Sequence, residues 1–357
     1  MPESSKNSAK PQFPESTVGN FLENFGIRSG EIEVIKQLVS YDDQNFYIKL
    51  SNGHEHLFKI TNSNDSKNVQ LITEVTLLMA QLAKSIPCSV PKQILGGGYL
   101  SRVHDDRGGT RREFIARLFD FLPGKTLENS ATLAQAYQWG ELLGRMHVAF
   151  LDMDFPSIKS RSFLWDWEHV TDARKFLDVH TDGLNKRSIE EAFDAYDRIS
   201  VDLKKMKREL LHGDLNERNV LVNSSGEVYA VLDFGDCQGG PFIWDVALVI
   251  AYVCLALEDV KRDLLEYTGQ ALAGYCQHMP QIIQEHGSIR ALRTLVCARF
   301  AQSLTLGLHS FRTSGDPYVL TSQKNGWPSL HMFQEEPEER FREVWQGAVA
   351  PDSVTLK

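Results

Sequence analysis

The alternation of apolar and polar positions divides the chain into a strand-rich first third and a helical remainder. Residues 1–14 are polar and carry three prolines, so a disordered tail is expected there. In "ESTVGNFLENFGI", Val18, Phe21, Leu22 and Phe25 share one helical face, with Ser16 or Thr17 as the expected cap. Three strand patterns follow, "EIEVIKQL", "QNFYIKL" and "EHLFKI", separated by the turn-rich "SYDDQ" and "SNGH". "SKNVQLITEVTLLMAQLAKSI" returns to helical spacing, with Ile72, Val75, Met79 and Leu82 in one stripe and Pro87 ending it. "GGGYLSRV" and "REFIARLFDFL" read as two more strands joined by a charged hairpin at "HDDRGG".

"PGKTL" then breaks the pattern, and the boundary between two lobes is placed near Leu122–Lys125. Beyond it Leu133, Tyr137, Gly140 and Gly144 fall at helical spacing, and further helices fit 187–207, 243–257, 260–278 and 287–311. The expected organisation is a tail (1–14), a small antiparallel-sheet N-terminal lobe (15–122) and a larger, mainly helical C-terminal lobe (123–357), an α+β class.

Composition narrows the function classes. The net charge of −9 argues against nucleic acid as a partner, because phosphate backbones require a basic face. The longest apolar run, "DVALVIAYVCLALEDV", has 12 uncharged residues between Asp245 and Glu258, too few to span a bilayer, so a buried helix and no membrane partner are expected. The five cysteines are widely spaced without a CxxC pair, which fits reduced thiols in a cytoplasmic protein. The N-terminus has no apolar segment of the secretory type. Oligomeric state is left open.

Candidate chemistry lies in two loops. "LLHGDLNERNVLVN" and "VYAVLDFGD" place His212, Asp214 and Asn219, then Asp233, Phe234 and Gly235, each beside a short apolar strand. Phosphoryl transfer needs an oriented hydroxyl and cations to neutralise the moving charge. Asp214 is the candidate catalytic base. The Asn219 amide oxygen and the Asp233 carboxylate are hard ligands suited to Mg2+. The pattern H-x-D-x-x-x-x-N followed by D-F-G is similar to the protein-kinase signature, with Gly213 where that signature has Arg. The missing arginine points to small-molecule kinases of the same two-lobe fold rather than to enzymes switched by activation-loop phosphorylation.

That fold also requires an N-lobe lysine and a helical glutamate. Lys59 in "EHLFKI" and Glu74 in "LITEVTLL" occupy those places. No G-x-G-x-x-G precedes Lys59, so phosphate cover is assigned to "SYDDQNF", through backbone amides and side chains such as Ser40, Tyr41, Gln44 or Asn45. Asp42 and Asp43 would repel phosphate, so they are expected to face outward or onto a cation.

These stretches resemble the aminoglycoside-phosphotransferase superfamily of kinase-like enzymes. "HGDLN" and "LDFGD" are shared across it, whereas "SYDDQNF" and "RFAQSL" are narrower and resemble the hydroxylysine kinases, with "FLWDW" and "KNGW" among the other similar stretches. The resemblance runs from about residue 16 to 345. It implies transfer of the γ-phosphoryl of GTP, with Mg2+, to the 5-hydroxyl of 5-hydroxy-L-lysine in amino-acid catabolism. It also implies that the nucleotide base rests on the link at Leu118 to Leu122. Such an acceptor carries two ammonium groups and a carboxylate. Asp236 and Glu217 are the candidates for the amines, and Arg299 for the carboxylate. Two alternatives stay open: an ATP-dependent kinase of another amino alcohol (homoserine, choline or an aminoglycoside-like compound), and an inactive kinase fold that binds a partner.

Overall fold

The computed structural model describes residues 10–350 apart from 41, 107–110, 129–130, 259, 261–263 and 284–287. The chain divides into two compact units, Met1–Pro123 and Gly124–Lys357.

In the first unit, helix α1 (Glu15–Leu22) precedes strands β1 (Ile32–Leu38), β2 (Gln44–Leu50) and β3 (Glu55–Ile60). Helix α2 (Val69–Leu82) and strands β4 (Ser101–Asp105) and β5 (Arg112–Asp120) follow. The sheet is antiparallel throughout, in the order β1–β2–β3–β5–β4. Strict alternation sorts its two faces. Phe46, Ile48, Phe58, Ile60, Phe114 and Leu118 are buried in one core with Val18 and Leu22 of α1. On the opposite phase of the strands the register sets Asn45, Lys59 and Arg117 side by side.

Two sequence expectations change here. The first turn of α1 closes on Pro14, whose carbonyl accepts both the Thr17 N–H (3.0 Å) and the Thr17 hydroxyl (2.8 Å). Ser16 and Thr17 are therefore inside the helix rather than capping it. The tail expected to be disordered through residue 14 is anchored over its described part, where Pro11 and Phe13 are buried. The Phe13 N–H donates to Gln44 Oε1 at 2.8 Å, and Gln44 Nε2 returns a bond to the Phe13 carbonyl at 2.9 Å. Phe13 also sets its ring edge-on to Phe114 and Phe21. A single aromatic among polar neighbours is diluted in any compositional average, yet it supplies the contact that orders this segment. Gln44 is thereby committed to structure, not to phosphate cover.

In the second unit, β6 (Lys125–Thr126), α3 (Leu133–Phe150), α4 (Pro156–Lys159), a 3-10 stretch (Trp167–Val179) and α5 (Gly183–Leu203) lead to the strands of the site. These are β7 (Glu209–Leu211), β8 (Val220–Val222), β9 (Val228–Val231) and β10 (Gln238–Gly240). Helices α6 (Phe242–Leu255), α7 (Leu264–Cys276), α8 (Ser288–Ser314), α9 (Gln323–Glu335) and α10 (Glu338–Val349) complete it. The apolar run read as a buried helix is α6, buried continuously from Ile243 to Cys254. No described helix is long and apolar enough to cross a membrane. All five cysteines are free and buried, and burial raises each thiol.

Helices α3 and α7 touch backbone to backbone. A Cβ at Gly140 would fall 1.7 Å from the Ala271 carbonyl oxygen, and one at Gly274 would fall 1.9 Å from that of Tyr137. Gly140→Ala must force the helices apart, with an expected loss of about 2–4 kcal/mol in urea unfolding. Gly347→Ala, where a Cβ meets nothing within 4 Å on an exposed helical face, is expected to be neutral or slightly stabilising in the same measurement.

Candidate functional site

Paired strands hold both motif loops. β7 pairs with β10 (Leu211 opposite Gln238) and β8 with β9 (Val220 opposite Val231). The Leu232 N–H donates to the Asn219 carbonyl at 2.8 Å, so Asn219 and Asp233 emerge at the same end of the β8–β9 hairpin. The loops then meet main chain to main chain. Gly213 adopts φ +80°, and a Cβ there would lie 2.2 Å from the Asp236 carbonyl oxygen. As the loops are packed, no side chain fits at 213.

Asp245, in the first turn of α6, organises the first loop from below. Its Oδ2 accepts the His212 N–H at 2.7 Å and its Oδ1 accepts the Gly213 N–H at 3.0 Å. His147 Nε2–H donates to Oδ2 at 3.2 Å, while His147 Nδ1 accepts the Tyr275 hydroxyl at 3.0 Å. A carboxylate only 1% exposed is thus satisfied by three donors. His212 braces the second loop: Nε2–H donates to the Leu232 carbonyl at 3.0 Å, and Nδ1 accepts the Asp214 N–H at 3.3 Å. Burial lowers the pKa of both histidines, so each is a neutral structural ring.

Asp214 is held through both oxygens. Oδ1 accepts the Tyr252 hydroxyl at 2.5 Å and lies 3.5 Å from Arg299 Nη2. Oδ2 accepts Asn216 Nδ2 at 2.8 Å. Asn219 Nδ2 donates to the Asp214 carbonyl at 2.7 Å, which turns its amide oxygen the other way. Tyr252 and Asn216 had no place in the sequence reading. A signal for Tyr252 existed: it stands seven positions after Asp245, two turns along the same helix face.

Arg299 lies beside the candidate base. It donates to Tyr252 and, at 3.0 Å, to Gln302 Oε1, and it packs over Trp165 at 4.9 Å. The residue is 6% exposed and its Nε is enclosed without a hydrogen-bond partner. The geometry directs Arg299 Nη2 at the candidate base. Trp167 is core: its indole N–H donates to the Gly239 carbonyl at 2.8 Å.

Asp233 is exposed and holds φ +49°, a left-handed conformation that Oδ1 supports by accepting the Gly235 N–H at 3.0 Å. Among the described residues no three His, Cys, Asp or Glu side chains gather as a metal cluster. Mg2+ needs fewer protein ligands than that, keeping waters and binding phosphate oxygens. The Asn219 amide oxygen and the Asp233 carboxylate emerge at one hairpin end, and both are hard oxygen donors of the kind that could hold such an ion. Glu217 and Asp236 remain undercompensated. Burial pushes Glu217 up to about 7, and its Oε2 is enclosed without a partner. Burial and then the Asp214 charge push Asp236 up to about 7, against the pull of Arg161.

In the first unit, Lys59 Nζ lies 3.1 Å from Asp43 Oδ2, so Asp43 does face a cation. Asp43 Oδ1 also accepts the Asn62 N–H at 2.9 Å. Glu74 is buried on α2 and accepts Gln70 Nε2 at 2.9 Å. Asn45 Oδ1, in register with Lys59, is enclosed without a partner. The Ser40 carbonyl accepts the Lys10 ammonium, and Tyr41 lies outside the described residues. Leu118 is not part of the link. It lies within β5, its side chain in the core and its carbonyl accepting the Lys92 N–H at 2.8 Å. The link starts at Phe121, whose N–H donates to the Glu55 carbonyl at 3.1 Å, and Leu122 follows half-buried.

An antiparallel sheet ordered 1-2-3-5-4 with a helical second unit carrying H-G-D-L-N-x-x-N and D-F-G loops defines a small-molecule kinase that acts on a hydroxyl group. The chain belongs to the phosphotransferase enzyme family, whose model matches residues 34–282. It is similar to the hydroxylysine kinase of Mus musculus, at 27% identity over 96% of this chain and 94% of that one. Among solved structures it is similar to a microcompartment-associated aminopropanol kinase (TM-score 0.63, 17% identity, 94% of this chain and 98% of that one). An amicoumacin kinase in complex with AMP-PNP and Ca2+ has the same fold (TM-score 0.61, 18% identity, 91% of each chain).

Two outcomes follow for this site. Tyr252→Phe removes one of the hydrogen bonds holding Asp214 and is expected to lower kcat about tenfold with little change in either KM, read by steady-state kinetics. Asp236 binds its proton more tightly folded than unfolded. The stability tied to that proton is complete below pH 4 and is lost as pH rises to about 7. The melting temperature of Asp236→Asn relative to the parent should therefore climb between pH 4 and pH 7.5 in ligand-free thermal melts.

Proposed function

We propose that the protein transfers the γ-phosphoryl group of GTP to the 5-hydroxyl of 5-hydroxy-L-lysine. The observation that carries this reading is the state of Asp214: one oxygen fixed by Tyr252, the other by Asn216, on a loop clamped by Asp245. A carboxylate so held accepts a hydroxyl proton without first reorganising. The likeness to hydroxylysine kinases over nearly the whole chain supports the acceptor. GTP rests on that resemblance, with ATP as the alternative donor.

Asn219 and Asp233 would hold Mg2+, which when bound supplies positive charge against the donor phosphates. Lys59 is proposed for the nucleotide phosphates, with Glu74 as its proposed partner, Asn45 beside it in register and Ser40 and Tyr41 as further proposed contacts. Leu122 is proposed for the nucleotide base. Asp236 and Glu217 would receive the acceptor's ammonium groups. A cation there supplies the compensation that both carboxylates lack and restores their ionised form.

Radiometric assays with hydroxylysine, homoserine, choline and aminopropanol, each with GTP and with ATP, decide among the readings. Highest kcat/KM for hydroxylysine with GTP is the expected result. Turnover of another amino alcohol and none of hydroxylysine would replace the acceptor, and absence of any turnover would leave a binding protein. Asp214→Ala should lose at least about 10³-fold in kcat while retaining nucleotide binding. Asp233→Ala should weaken Mg2+-dependent nucleotide binding itself, measured by calorimetry.

A further inference from the structure

We propose that Arg161 and Asp236 together form a head-group site for an α-amino acid, Arg161 taking the carboxylate and Asp236 the α-ammonium. The inference rests on the reading above that the acceptor bears an amine, and adds that the enzyme reads a carboxylate beside it.

An α-amino acid carries opposite charges on two groups bonded to one carbon, so its recognition needs a cation and an anion side by side that have not neutralised each other. Arg161 and Asp236 meet that condition. Arg161 Nη1 donates to the carbonyls of Gly235 (2.5 Å) and Cys237 (3.2 Å), the residues flanking Asp236. Its guanidinium lies 4.1 Å over the Phe163 ring. These contacts fix the plane of the group. Among the described residues the Nε–Nη2 edge makes no hydrogen bond, and that edge has the spacing for a bidentate carboxylate. Arg161 is half-buried, so a ligand can reach it.

Asp236 sits between those two carbonyls. Its side chain accepts no hydrogen bond and closes no ion pair with Arg161 among the described residues, although the Arg161 charge bears on it. Its main chain is packed against Gly213, in the loop of the candidate base. Arg299 is already engaged, committed to Tyr252, Asp214 and Gln302, and its Nε is shut in. A carboxylate would have to displace the Asp214 support to reach it.

The test compares hydroxylysine with its decarboxylated counterpart, the diaminopentanol bearing the same hydroxyl, on the full-length protein and on Arg161→Met and Arg161→Lys. In the parent, kcat/KM should favour the carboxylate-bearing acceptor on the order of 100-fold. In Arg161→Met that ratio should collapse to within about fivefold, through acceptor KM rather than kcat. Arg161→Lys, which keeps charge but not the planar edge, should fall between. If Arg161 merely tethers residues 235–237, both acceptors lose activity together and the ratio stays, which overturns the proposal. A parent that phosphorylates the diaminopentanol as well as hydroxylysine also overturns it while leaving an amino-alcohol kinase standing. A parent that turns over neither, nor any amine-bearing acceptor, rejects the functional reading and this site with it.

Discussion

The active loop hangs on one buried carboxylate. Asp245 accepts two successive main-chain N–H groups, from His212 and Gly213, and a ring N–H from His147. A buried charge is tolerable only when its lone pairs are filled, and these donors fill them. The geometric consequence is large, because two adjacent amides fixed on one side chain leave the next residue, Asp214, little conformational choice. From the same helix Tyr252 fixes the Asp214 carboxylate itself. α6 is buried on nearly all sides, so both anchors stand on a rigid element rather than on a loop.

Charge in the second unit is distributed unevenly, and the unevenness separates roles. Asp214 is surrounded by donors: Tyr252, Asn216 and Arg299. Glu217 and Asp236 are not, and burial lifts both toward neutrality. A carboxylate held by donors on both oxygens suits a group whose position must be fixed before the ligand arrives. An undercompensated one suits a group whose partner arrives with the ligand. The arginines divide likewise, Arg299 enclosed with its partners and Arg161 pinned by one nitrogen with an open edge.

In the first unit the organising constraint is strand register. Asn45, Lys59 and Arg117 come into line because β2, β3 and β5 pair without a slip across these positions. A one-residue shift would turn Lys59 into the core that holds Phe58 and Ile60. The same alternation explains why Leu118 is core rather than link.

Much of this was legible from residue order, because period and motif are local properties. The 2.0 and 3.6 periodicities set the strands and helices, and the short apolar strands beside "HGDLNERN" and "LDFGD" marked the two loops. The partners that lie far apart in sequence were not legible. Phe13 with Gln44, Asp43 on Lys59, Tyr252 on Asp214 and Arg161 on Gly235 are separated by 31, 16, 38 and 74 positions. Residue order determined which chemical groups this protein possesses and which local element carries each. The tertiary structure decided which of those groups are satisfied and which are left for a ligand, because hydrogen-bond partnership and burial depend on distance in space, and a linear pattern does not carry that distance.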